Sequence, residues 1–122
     1  MTIIRLSHIL HYNISFFTEM EKWENKNTDL LIQALLFCKN KTTMRAFLRD
    51  LLTEKELIEF GNRLKVAEML SQKISYSKIE KTTGMSSTTI ARISKWLNKG
   101  MKGYKTILPH LHHTSQNNQP MP

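Results

Sequence analysis

The 122-residue sequence predicts an all-α fold carrying a helix-turn-helix, on three observations. Apolar residues recur at helical spacing, as in Ile90, Ile93 and Leu97 at i, i+3 and i+7. Helix-start signals precede the periodic runs, most plainly Thr53-Glu54-Lys55-Glu56, where hydroxyl and carboxylate can satisfy each other's backbone amides. No segment alternates apolar and polar residues over the length of a strand.

Residues 1–26 read as an N-terminal extension that is flexible or foreign to the native chain. Its apolar residues are interrupted by Arg5, His8 and His11, and no small-residue cleavage site follows, so a signal peptide is not expected. Met20 opens a more ordinary stretch and is the expected native initiator. N-terminal sequencing of protein made from its own gene tests this, and a chain starting at Met1 or Thr2 would reject it.

The helical domain is expected over 27–108, opening at Asn27 or Thr28 as cap. From Leu30 to Cys38 almost no polar face remains, so this helix should be buried on more than one side. A chain of this size cannot cover such a surface with one thin core, so a second subunit is expected. Thr42 should cap a short helix through Leu51, with Met44, Phe47, Leu48 and Leu51 inward. The Thr53 box opens the longest helix, to about Ser71. Leu57, Phe60 and Leu64 form one stripe, and Ile58, Val66, Met69 and Leu70 another, which suits a central, two-sided helix.

The helix-turn-helix is expected at 75–98. A first helix carries Ile79 inward, Gly84 turns the chain with φ > 0, Met85 plugs the turn, and Ser86 or Ser87 caps the second helix. The face opposite Ile90, Ile93 and Leu97 shows small polar groups first and cations behind, the order needed to meet base edges and then phosphates. Ser87, Thr88 and Ala91 are the base-edge candidates, with Ser86, Thr89 and Arg92 on the same helix. Tyr76, Ser77 and Lys78 open the preceding helix, and Lys95, Lys99 and Lys102 are phosphate candidates. Glu80, an anion on this surface, reads as a cytosine contact, a brake on nonspecific binding, or a local partner of Lys78 or Lys81. Gly100 should stop the second helix. A last short helix should then end before Pro109, leaving 109–122 as a disordered tail.

Charge supports double-stranded DNA as partner. Between Ser75 and Lys105 seven cations face one anion, Glu80, so most of the chain's net +8 lies there. No run approaches the roughly 18 apolar residues of a membrane span. The single cysteine, Cys38, cannot form an internal disulfide, consistent with a reducing cytoplasm. His110, His112 and His113 lack matched cysteines or carboxylates, so no metal is expected. No nucleophile–base arrangement, phosphate loop or carboxylate pair suggests an enzyme.

With these residues in place, the chain from Phe47 to Tyr104 resembles the Trp repressor superfamily, nearest the YerC/YecD type. The resemblance lies in Phe47-Leu48-Arg49-Asp50-Leu51-Leu52-Thr53, Asn62-Arg63-Leu64-Lys65-Val66-Ala67-Glu68-Met69-Leu70 and Ser75-Tyr76-Ser77-Lys78-Ile79-Glu80. It continues through Thr83-Gly84, Ser87-Thr88-Thr89-Ile90-Ala91-Arg92 and Trp96-Leu97-Asn98-Lys99-Gly100. It implies an intertwined, all-α homodimer that regulates transcription, as a repressor, by binding palindromic operators. It also implies a tryptophan site at Thr89, Arg92 and Arg63, or Asn62 one residue earlier. Ile93 and Trp96, however, stand where the family has a glycine and a small serine. A β-branched side chain should fill that pocket, so no cofactor is required and L-tryptophan or another small effector is not expected to be essential. Arg92 is then free to bind phosphate or pair with Glu68. The rival reading is a ligand-independent helical dimer, a protein–protein interaction module that has lost operator binding.

Overall fold

The computed structural model describes residues 22–116, with side chains through 111. Among the described residues six helices follow one another: α1 (Lys26–Phe37), α2 (Lys41–Leu51), α3 (Glu54–Ser71), α4 (Tyr76–Thr83), α5 (Ser87–Lys99) and α6 (Gly103–Gln116). The described residues contain no strand, and none of their helices is long and apolar enough to cross a membrane. The chain divides into two compact units, with the boundary between Leu48 and Arg49.

In the first unit α1 begins earlier than expected. Its cap is Asn25, not Asn27 or Thr28: the Asn25 carboxamide accepts from the amides of Asn27 (2.9 Å) and Thr28 (3.1 Å). The Thr28 hydroxyl in turn accepts from the Asn25 amide at 3.0 Å, closing a reciprocal box. Thr28 therefore serves the cap from inside the first turn. The cap of α2 is likewise shifted, to Asn40, whose side chain accepts from the Thr43 amide at 2.9 Å, leaving Thr42 inside the helix. An Asx carboxamide competes well with a hydroxyl for this position.

No residue of α1 is buried in the single chain, with Leu36 70% and Phe37 78% exposed. On α2, Met44, Phe47 and Leu48 are half-buried as expected, whereas Leu51 is exposed.

The second unit holds the core. Thr53 caps α3 as expected, accepting from the Glu56 amide at 3.2 Å, while the Glu56 carboxylate accepts from the Thr53 amide at 2.9 Å. The Thr53 amide and then its hydroxyl hold the Glu56 carboxyl below its ordinary value of 4.5 by stabilising the charged form. Along α3 the two expected stripes separate by position. Val66, Ala67, Met69 and Leu70 near the C-terminus are buried, whereas Ile58, Phe60 and Leu64 in the first three turns are exposed.

The end of α3 is a Schellman motif, with Ile74 N–H donating to Met69 C=O (3.1 Å) and Lys73 N–H to Leu70 C=O (3.0 Å). The left-handed residue this requires is Lys73, at φ 62°. Beyond it, α4 and α5 pack on each other and on α3, and α6 packs on α5. Ile79, Ile90 and Val66 are the largest fully buried side chains. Burying each stabilises the unit by about 1.5–3 kcal/mol. Ile93, Leu97 and Leu108 complete this core, with Ile74, Met85 and Tyr104 packed against it.

The last helix does not stop before Pro109. It runs from Gly103 to Gln116 with the proline inside. Proline removes one rung, the N–H that would reach the Lys105 carbonyl. Leu108, 3% exposed and immediately before it, anchors the helix in the core, so the remaining ladder carries through. Residues 1–21 and 117–122, and with them the expectations for the extension, Met20 and the end of the tail, lie outside the described residues.

Candidate nucleic-acid interface

The turn between α4 and α5 is built by three residues. Gly84 takes φ 70° and its N–H reaches the Glu80 carbonyl at 2.8 Å, closing α4 in a left-handed turn. Met85 then packs against the core. Of the two expected caps for α5 it is Ser86 that serves, in extended backbone, its hydroxyl accepting from the Thr89 amide at 3.2 Å. Gly100 ends α5 with its N–H on the Trp96 carbonyl at 2.9 Å, although its φ is an ordinary −81°. Glycine is needed there for space: a Cβ would lie 2.3 Å from the Trp96 carbonyl oxygen.

Because Ile90, Ile93 and Leu97 are buried, helical geometry turns the opposite face of α5 to solvent. Ser87, Thr88, Ala91, Arg92, Lys95 and Lys99 are all exposed there. Hydroxyls stand in the first turn, where amides not used in the helix point outward, and cations stand in the later turns. Lys95 Nζ lies 5.9 Å from the centre of the exposed Trp96 ring, which holds that charge against the helix surface.

The remaining candidates divide. Ser86 and Thr89 share a hydroxyl–hydroxyl hydrogen bond of 3.0 Å, and Thr89 is half-buried, so their side chains serve the cap. Tyr76, Ser77 and Lys78 are exposed in the first turn of α4, which Ser75 caps through the Lys78 amide. Lys102 lies beyond α5 at φ 65°, and its carbonyl accepts from both the amide and hydroxyl of Thr106 to start α6. Glu80 makes no ion pair among the described residues, so the local pairing with Lys78 or Lys81 is absent.

Of the residues of the implied tryptophan site, Thr89 serves the cap of α5 and Arg63 has partners of its own. Arg63 pairs with Glu59 at 2.8 Å and lies 5.5 Å from the centre of the Phe60 ring. Glu68 pairs with Lys65 at 3.4 Å, not with Arg92, which has no ion pair among the described residues. Ile93 is 4% exposed, its side chain committed to the core. No group of three or more histidine, cysteine, aspartate or glutamate residues among those described could hold a metal ion.

Two residues escaped the sequence reading as site candidates, Lys73 and Lys105. Both line a groove of about 670 Å³ between the end of α3, the start of α4, and α5 and α6. Lys105 carried the charge signal of its region, but Lys73 sits where a glycine would be expected, and only the backbone reveals it.

Comparison with known proteins agrees with this architecture. The model of the family described as Trp repressor protein matches residues 26–112. The Bacillus subtilis protein YerC, described as uncharacterised, is 34% identical over 96 residues, which cover 79% of this chain and 92% of YerC. The crystal structure of a TrpR-like protein from Eubacterium eligens superposes with a TM-score of 0.70 at 32% identity, covering 75% of this chain and 94% of that one. A provisionally assigned Trp repressor of Staphylococcus aureus gives a TM-score of 0.70 at 33% identity, covering 77% and 94% respectively. With the family model matched over residues 26–112 and the fold shared over most of its length, the chain belongs to the Trp repressor family.

Proposed function

We propose that the protein is a dimeric, sequence-specific DNA-binding regulator of transcription, acting as a repressor in the cytoplasm. Each copy places α5 in the major groove of a palindromic operator, the two half-sites lying about one helical turn apart. The observation that carries this reading is the division of α5. Its buried face locks the helix to α3 and α4, while its exposed face presents Ser87, Thr88 and Ala91 ahead of Arg92, Lys95 and Lys99. Lys78 and Lys102 add flanking cations suited to phosphates.

A second copy supplies the cover that α1, and separately the first three turns of α3, lack. Leu30, Leu36 and Phe37 on α1, and Ile58, Phe60 and Leu64 on α3, are exposed in the single chain. Apolar side chains left exposed in such number on each unit suit an interface. L-tryptophan is not required, because Ile93 fills with a core side chain the place where the ligand would need room.

The test is binding of the purified protein to DNA upstream of its own gene, at fixed salt, with and without L-tryptophan, alongside sedimentation. Saturable binding by a dimer, unchanged by tryptophan, supports the whole reading. Tryptophan-dependent binding would overturn the closed pocket and return Arg63 and Arg92 to a clamp. A dimer that binds no sequence preferentially in a genome-wide selection would support the protein–protein interaction module instead.

A further inference from the structure

The groove between α3, α4, α5 and α6 has a layered chemistry. Its floor is apolar: Leu70, Leu97 and Leu108 are at most 9% exposed, and Ile74 packs beside them. Two lysines, Lys73 and Lys105, stand among the lining residues, and no aspartate or glutamate does. Neither lysine has an ion pair among the described residues. The lining also includes a small polar set on α5, Ser94 and Asn98. Asn98 Nδ2 donates to the Ser94 carbonyl at 2.8 Å, and its carboxamide oxygen has no donor among the described residues.

We propose that this groove is a binding site for a small organic anion with an apolar body, such as an aryl-alkyl carboxylate. The apolar body would lie on the leucines, the carboxylate would meet Lys73 and Lys105, and a donor on the ligand would meet the Asn98 oxygen. A volume of about 670 Å³ suits a small molecule, falling within the roughly 300–1,000 Å³ of ligand pockets. A nucleic-acid phosphate would use the two lysines but has no use for a leucine floor. The site is separate from Arg63, Thr89 and Arg92, none of which lines it.

The lysine at position 73 is itself informative. Its backbone is left-handed, a conformation glycine adopts without cost, yet the chain carries a long cation there. An occupant would touch the end of α3, the start of α4, and both α5 and α6, and so would bear on the position of α5. That consequence rests on the DNA-binding reading, whereas occupancy of the groove does not.

The probe is 4-phenylbutyrate, with 4-phenylbutanol as its uncharged counterpart, titrated into the full-length 15N-labelled protein without DNA. Saturable shifts are expected at the amides of Ser94, Asn98 and Leu108, with the acid binding about tenfold more tightly than the alcohol. Combining Lys73→Ala with Lys105→Ala should erase that difference, and Ser94→Phe should block both probes by filling the groove. Circular dichroism confirms that each variant is folded. Equal binding of acid and alcohol overturns the anion site. No saturable shift at these amides overturns the groove as a ligand site, as does burial of the groove between copies of the chain. Duplex DNA that displaces the acid while shifting the side-chain resonances of Lys73 and Lys105 would assign the lysines to phosphate.

Discussion

Gly84 and Lys73 hold nearly the same left-handed backbone, at φ 70° and 62°, one filled by the residue that favours it and the other by a lysine. Exchanging the residue type at each position should therefore move stability in opposite directions. For Gly84→Ala the added Cβ meets nothing within 4 Å, so no steric clash enters and the effect is conformational. Left-handed backbone costs an L-residue about 1–2 kcal/mol. The more restricted unfolded chain returns about 0.4–1 kcal/mol of this. The net expectation is a loss of roughly 1 kcal/mol for Gly84→Ala and a gain of about half to one kcal/mol for Lys73→Gly. Urea denaturation followed by circular dichroism measures both, at one protein concentration because association would shift the midpoints. An unchanged m-value shows that each variant exposes the same surface on unfolding, so the midpoints can be compared directly. A Gly84→Ala protein as stable as the parent, or a Lys73→Gly protein less stable than it, would refute the assignment of strain to these two residues.

Three further outcomes are expected. Gly100→Ala should destabilise by about 1–3 kcal/mol through overpacking, since its Cβ would press on the Trp96 carbonyl at 2.3 Å; thermal melts read by tryptophan fluorescence check this. Thr53→Ala should cost about 1 kcal/mol at neutral pH by removing the cap of α3. Because Thr53 lowers the Glu56 carboxyl, the stabilisation from that carboxylate is present above pH 4.5 and is lost as pH falls through its lower folded value. Denaturation on both sides of pH 4.5 should show an acid-side loss only slightly smaller in the variant than in the parent, because alanine keeps the Thr53 backbone amide that lowers the carboxyl most. On operator DNA, Lys99→Ala should weaken binding alike for specific and nonspecific sequences and reduce the slope of log affinity against log salt by about one. A slope unchanged within error would remove Lys99 from the phosphate contacts.

The all-α class and the placement of α3, α4 and α5 were legible in the sequence because their signals are local. The capping box at Thr53, the glycine at 84 and the spacing of Ile90, Ile93 and Leu97 act over a turn or two of chain, and each is found where expected. The caps of α1 and α2 were less legible because neighbouring polar residues competed. Asn25 and Asn40 won over Asn27, Thr28 and Thr42 through hydrogen bonds visible only in the folded backbone. The persistence of α6 through Pro109 was hidden for a different reason. Propensity marks the lost hydrogen bond, but the burial of Leu108 that holds the helix together comes from packing on α5. The exposed face of α5 follows from periodicity alone, whereas the diversion of Ser86 and Thr89 into the cap required their mutual geometry. The groove with Lys73 and Lys105 belongs wholly to tertiary structure. Those lysines are 32 positions apart in the chain, and only the packing of α6 on α5 brings them to one cavity. Local hydrogen bonding and side-chain period belong to the sequence; the meeting of distant residues belongs to the packing of helices, because burial is decided by what covers a surface.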